Sequence, residues 1–301
     1  MPSNNNLRII YENLVDLSTT TFLSTSTTAS GTSTANLKQD TKNLVWRGSN
    51  GTRASIILNF GTNKQVGGVV LAFSNLVSSN ATIKVAGYLH PNVPSISGSA
   101  LSTSVISAYT TSPVECCPWN NLALTDWGTN PVGSSNYNYG GGTYARAWLN
   151  ESQRLTPVRY LGIEIYDPSA TYIEISRLIV GNYWSPKYNT GYGISAGIKD
   201  LSEHVRTENG DLLTRRGPRF KTLNFDLQWL DTSDRKEITR IFLGNGASKP
   251  LFVSLFPDSS GTDEDFQREG IHQIYGKMVQ IPGVSYTSYE IYSTNIEIEE
   301  V

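Results

Sequence analysis

The sequence predicts a mainly β protein of two units, a β-sandwich over residues 1–184 and a β-sheet or barrel with one short helix over residues 185–301. Three observations predict it. Runs of β-branched residues bounded by Gly, Asn, Asp or Ser recur through the first unit without a convincing helical period. A single stretch, KTLNFDLQWLDTSDRKEITRIF at 221–242, changes from a period of two to a helical period. Charge is also uneven: residues 1–184 hold 11 Lys+Arg and 9 Asp+Glu, whereas residues 185–301 hold 13 and 17. The break falls at YWSPKYNTGYG, 183–193, whose proline and glycines suit an interdomain crossing. With 301 residues, 38% of them hydrophobic and 17% charged, the chain is long enough to bury cores in both units.

In order along the chain, 17–36 is mostly Ser and Thr, but Phe22 and Leu23 interrupt it and Leu44, Val45 and Trp46 follow. It reads as an extended, weakly packed edge. ASIILNF (54–60), VGGVVLAF (66–73), ATIKVAGY (81–88), VRYLGIEIYD (158–167) and YIEISRLIVG (172–181) read as strands of a sandwich. Between them TYARAWL is strand-like, and Tyr144 and Trp148 are expected to point into the sandwich.

The second unit begins with RTENGDLLTRRGPRF, 206–220, read as a long polar loop because Gly217-Pro218 cannot sit in a regular central strand. Next, Leu223, Phe225, Leu227 and Trp229 alternate with polar residues as in a half-buried strand. Asp231 or Thr232 then caps a helix whose stripe is Ile238, Ile241 and Phe242, with Gly244 as its stop. Asp234, Arg235, Lys236, Glu237 and Arg240 are expected on its outer face. Strands follow in KPLFVSLF (249–256), HQIYGKMVQI (272–281) and YEIYSTNIEIEE (289–300), and the helix is expected to pack on their sheet.

Composition excludes several functions. A formal net charge of −2 without a Lys/Arg block leaves no electrostatic footprint for nucleic acid. No window reaches the roughly 18 apolar residues of a membrane-spanning helix, and the N-terminus has no basic stretch followed by an apolar one. Folding in a cytoplasm is therefore expected. Cys116 and Cys117 are adjacent, too few for a zinc site and ill placed to bridge one another, so free thiols are expected. His90, His204 and His272 are far apart in sequence, and no nucleophile elbow, P-loop or dinucleotide fingerprint is present. GNGASKP (244–250) reads as helix stop and turn, and the acids of PDSSGTDEDFQRE (257–269) do not follow a calcium-loop order. No enzyme activity, cofactor or metal is expected.

Two constellations remain as candidate sites. Trp119, Trp127, Tyr137 and Tyr139 lie among Asn, Thr and Gly, with Arg146 nearby. Aromatic faces can stack on sugar rings while short amides and hydroxyls meet sugar hydroxyls; the same residue types also suit a subunit contact. In the second unit Arg206, Arg215, Arg216 and Arg219 accompany Glu208 and Asp211 as a candidate assembly contact.

NLVWRGS, SIILNFG, QVGGVVLAFSNL, TIKVAGY and the closing RYLGIEIYDPSATYIEISRLIVG resemble the discoidin-like (coagulation factor 5/8 C-terminal) jelly roll over about residues 10–181. With GGGTYARAW, VGNYWSPKYNTGYG, RTENGDLLTRRGPRFKTLNFDLQWL, KPLFVSLFPDS, HQIYGKM and NIEIEE, the chain resembles tail-tip or baseplate (distal tail-like) proteins of long-tailed bacteriophages. That family joins a discoidin-like domain to a tail-tube-like β domain. The resemblance implies a virion structural part made in a bacterial host's cytoplasm. Its implied partners are other tail proteins and its own copies in a symmetric ring, trimeric or hexameric, with contact to a host surface glycan as the alternative role.

Overall fold

The computed structural model describes residues 6–49, 51–76, 80–115, 142–257 and 270–301. Two antiparallel sheets face each other in the first unit. One has the order β10 (Val114–Glu115), β6 (Thr82–Tyr88), β12 (Val158–Tyr166), β4 (Arg53–Lys64) and β2 (Thr21–Thr25), with β9 (Tyr109–Thr110) also on β6. The other has the order β11 (Thr143–Trp148), β5 (Gly68–Ser74), β13 (Glu174–Gly181) and β3 (Trp46–Arg47). The predicted strands are therefore present, and β2 occupies the expected edge. Between the sheets Ile56, Leu58, Val69, Leu71, Ile163 and Val180 form part of an aliphatic core. Ile57, one residue out of phase, lies on the other face with Tyr88, Leu101 and Tyr160. That face is covered by the hairpin β7 (Ile96–Ser97) and β8 (Ala100–Leu101).

The second unit is a seven-stranded sheet of order β1 (Arg8–Ile10), β18 (Leu251–Ser254), β19 (Gln273–Met278), β21 (Ile291–Glu300), β17 (Arg219–Leu230) and β14 (Ser195–Asp200), with β20 (Ser285–Ser288) also on β21. Residues 8–10, which carry no strand signal of their own, join this sheet by pairing with Phe252, Val253 and Ser254. The crossing at 183–193 is tied to the same N-terminal segment. Ile9 and Trp184 exchange backbone hydrogen bonds of 2.9 Å, and Leu7 N–H donates to Asn189 Oδ1 at 3.0 Å.

Besides the short α1 (Glu151–Leu155), the helix is α2 (Thr232–Asn245), capped by Asp231, whose Oδ1 accepts from Asp234 N–H at 2.9 Å. Ile238, Ile241 and Phe242 pack with Leu223, Phe225 and Ile296, as a stripe at helical spacing should. Two expectations are corrected. The helix passes Gly244 and stops at Gly246, where a φ of +56° suits glycine. Asp234 is buried rather than outward, because its Oδ2 accepts from Lys187 N–H at 3.1 Å.

The outer face of the four-stranded sheet packs on the second unit. Val70, Ala72, Phe73, Tyr144 and Ile179 meet Ile10, Phe252 and Tyr275. Tyr144 and Trp148 thus point away from the sandwich core, and it is Ala145 and Ala147 that point into it. The small alanines fit between the sheets, whereas the large rings fill the gap between the units. Charges are buried here too. Lys42 Nζ donates to Glu300 Oε2 at 2.8 Å, Lys221 N–H donates to the same oxygen at 3.2 Å, and Tyr144 Oη–H donates to Glu300 Oε1. Arg177, 2% exposed, donates to Asp16 Oδ2 at 2.6 Å and Tyr275 Oη at 3.0 Å, and Tyr275 donates to Asp40 Oδ1 at 2.8 Å.

Candidate functional site

Three connections cross between the two sheets at one end of the sandwich: β3 leads to β4 through 48–52, β5 to β6 through 75–81, and β12 to β13 through 167–173. Glu115, the last residue of β10, and Thr143, the first of β11, stand at that end as well. The register confirms the gathering: Tyr166 stands opposite both Arg53 and Thr82, Thr82 opposite Glu115, Arg47 opposite Glu174, and Ser74 opposite both Thr143 and Ile175.

Two Arg–Tyr pairs stand at this end. The Arg47 guanidinium lies 4.2 Å from the centre of the Tyr172 ring, and Arg53 lies 5.0 Å from that of Tyr166. Each arginine also meets a glutamate: Arg47 Nε donates to the buried Glu174 Oε2 at 2.7 Å, and Arg53 Nη1 lies 3.3 Å from Glu164 Oε1. Their side chains, 33% and 43% exposed, lie partly in solvent. The loops brace each other. Asn75 Oδ1 accepts from Glu174 N–H at 2.8 Å, Asn75 Nδ2 donates to Tyr172 O at 2.9 Å, and Asp167 N–H donates to Thr52 O at 2.8 Å. A planar cation held over a ring and oriented by a carboxylate is a fixed recognition surface.

The expected aromatic residues Trp119, Trp127, Tyr137 and Tyr139, like Cys116, Cys117 and residues 258–269, lie outside the described residues. Arg146 is not a surface contact. It is 4% exposed on β11, on the face turned to the second unit with Tyr144 and Trp148.

Residues 206–220 also differ from the expected loop. β15 (Glu203–Arg206) pairs with β16 (Leu212–Arg215) in a hairpin exposed at every position of both strands. Asn209-Gly210, a dipeptide that favours hairpin turns, set between Val205 and Leu212-Leu213, was the signal, masked by the charges around it. Arg206 Nη1 donates to Gly210 O at 3.0 Å and Arg215 stands 3.8 Å from Glu203. Arg216 is exposed. Arg219 is half-buried at the hairpin's base and donates to Asp200 Oδ2 at 2.6 Å. Hydrogen bonds from Ser202 and Arg219 pull the Asp200 carboxyl down to about 2.

Sequence reasoning did not single out Arg47, Arg53, Tyr166 or Tyr172. Their signal was position: each lies in or beside a turn segment at the end of a strand, where side chains leave the core.

Among the described residues no three His, Cys, Asp or Glu side chains gather as a metal site, and no helix is long and apolar enough to cross a membrane. His90 Nδ1 lies 3.5 Å from Tyr160 Oη, His204 Nδ1 lies 2.9 Å from Thr214 Oγ1, and His272 meets the Phe256 ring edge-on.

No family model matches the chain, and no curated protein matches it. Solved structures do. The lectin domain of lectinolysin complexed with Lewis b antigen is 12% identical, covers 60% of this chain and 98% of its own, with a TM-score of 0.34. Chitosan-binding module 1 from a Paenibacillus sp. IK-5 chitosanase/glucanase is 16% identical over 56% of this chain and 98% of its own, at 0.34. Reduced XRCC1 bound to the DNA polymerase β catalytic domain is 16% identical over 55% and 95%, also at 0.34.

Proposed function

We propose that the chain is a non-catalytic binding protein whose sandwich takes a glycan at the loop end. The observation that supports this reading is the convergence of three inter-sheet connections on one end, where Arg47–Tyr172 and Arg53–Tyr166 already stand. The segment between β10 and β11 has the sequence richest in Trp, Tyr, Asn and Gly, with Trp119, Trp127, Tyr137 and Tyr139. Rings offer faces to the C–H side of a sugar, and guanidinium and amide groups offer hydrogen bonds to its hydroxyls. Glycan-array binding by the whole protein, lost in Trp119→Ala/Trp127→Ala and weakened in Tyr172→Ala, is the expected result. Binding indifferent to all three substitutions would overturn the reading. No turnover of polysaccharide, peptidoglycan or peptide is expected; turnover abolished by one Asp or Glu substitution would refute the non-catalytic assignment.

A second reading, a structural part of a phage tail tip, has its own support. The hairpin β15–β16 leaves Val205, Leu212 and Leu213 more than half exposed beside the charges of Glu203, Arg206 and Arg215. The adjacent edge strand β14 is exposed along its whole length. Exposed apolar side chains within a charged rim on an open sheet edge suit a subunit contact. Burial of this hairpin between copies in a particle reconstruction is the expected outcome; a reconstruction leaving it in solvent removes the reading.

A further inference from the structure

A second recognition site lies in the other unit, on a cleft of about 540 Å³ lined by Lys187, Tyr188, Trp229, Leu230, Asp231, Glu290 and Ile291. That volume falls within the roughly 300–1,000 Å³ of small-ligand pockets. Trp229 was expected to continue the buried alternation of Leu223, Phe225 and Leu227. It does not, because the pairing of β17 with β21 shifts between Leu227 and Leu230, leaving one extra residue on β17. The bulge returns Leu230 to the core and leaves Trp229 57% exposed. Bulges of this kind re-aim a side chain and recur beside functional sites.

The other walls are fixed with equal care. The backbone at Lys187 is pinned to α2 through its N–H to Asp234 Oδ2, which holds the 53%-exposed Tyr188 in place. Asp231 is oriented by Asp234 N–H and Ser233 Oγ–H, both donating to Oδ1, and these bonds hold its carboxyl below the usual range. Glu290 takes a φ of +56° in the turn joining β20 and β21, a backbone conformation that a non-glycine residue rarely adopts.

Charge decides what such a cleft would accept. Two carboxylates, Asp231 and Glu290, disfavour an anion. Lys187 Nζ already stands 5.6 Å from the centre of the Tyr188 ring, so that face disfavours a second cation. What remains is a neutral ligand with an apolar face for Trp229 and Tyr188 and hydroxyl donors for the two carboxylates. We infer that this cleft binds a neutral pyranose ring, giving the chain a second saccharide site separate from the loop end of the sandwich. The inference shares the ligand class of the proposed function but none of its residues.

The test is fluorine NMR of the whole protein labelled with 5-fluorotryptophan, titrated with neutral oligosaccharides of β-linked glucose, β-linked N-acetylglucosamine and α-linked mannose. There are six tryptophans, so Trp229→Phe, Trp119→Phe and Trp127→Phe assign the informative signals. The buried Trp46 signal reports an intact sandwich. Expected is a saturable shift of the Trp229 signal with one of these sugars, its dissociation constant raised about tenfold by Tyr188→Ala, the size of a lost aromatic stacking contact. Movement of the Trp119 and Trp127 signals alone would overturn the cleft while sparing the sandwich site. Movement of Trp229 alone would do the reverse. No movement with any of the sugars would overturn both, and a Trp229 shift produced only by a charged or peptide ligand would overturn the cleft's assignment to a saccharide.

Discussion

The four-stranded sheet is buried on both faces, and the two faces are built from different chemistry. Toward the sandwich it presents Val69, Leu71, Ala145, Ala147, Ile175, Leu178 and Val180, all aliphatic. Toward the second unit it presents Tyr144, Phe73 and Ile179, with Arg177 beside them and, across the gap, the buried side chains of Lys42 and Glu300 and the half-buried Lys221. An aliphatic face is stabilised by area removed from water, and many residue combinations of equal volume serve it. A face with buried charges is held by a small number of specific partners. It fixes one relative placement of the units, and loss of any partner is costly.

The largest expected effect breaks that second face. Glu300→Gln should leave the buried Lys42 and the half-buried Lys221 without their counter-charge and cost about 3–5 kcal/mol in urea denaturation. A loss below about 1 kcal/mol would mean the interface is held by its rings and not by its ions.

Acid sharpens the same point. Burial alone would raise the Glu300 carboxyl, but Lys42 and Lys221 outweigh it and hold it below its ordinary 4.5. A folded value below the unfolded one gives stability that is complete above about pH 4.5 and is lost as pH falls through the folded value. Asp16, pushed upward by burial, works in the opposite direction. The difference between wild type and Glu300→Gln therefore isolates Glu300, and their stabilities should converge as pH falls below 4.5. Parallel pH profiles would refute the assignment.

On the aliphatic face the effect should be smaller. Ile175→Val removes one methylene from the sandwich core and is expected to cost about 0.5–1.5 kcal/mol by the same denaturation measurement. A cost equal to that of Glu300→Gln would erase the distinction between the faces.

The smallest effect on stability belongs to the exposed hairpin. Arg215→Glu/Arg216→Glu should leave the denaturation midpoint unchanged, since both side chains are in solvent. If the hairpin is an assembly contact, the same variant should fail to enter particles. Normal incorporation with an unchanged midpoint would place the contact elsewhere.

What the sequence by itself determined is local. The β-branched runs SIILNF and LGIEI, the period of two from Leu223 to Leu227, the Asp231 cap and the Ile238, Ile241, Phe242 stripe involve residues a few positions apart, so local composition and spacing specified the strands and the helix. Even the doubly buried sheet left a trace: VVLAF on β5 has no polar alternation, which requires cover on both faces. Tertiary structure decided what supplies that cover, because the pairing of Arg8–Ile10 with Leu251–Ser254 joins segments more than 200 residues apart by backbone hydrogen bonds that carry no side-chain signature. It decided equally that Trp229 faces solvent, since one extra residue in a ladder reverses a side chain without altering the composition around it. The gathering of Arg47, Arg53, Tyr166 and Tyr172 at one end followed from sheet order, which no residue spacing records.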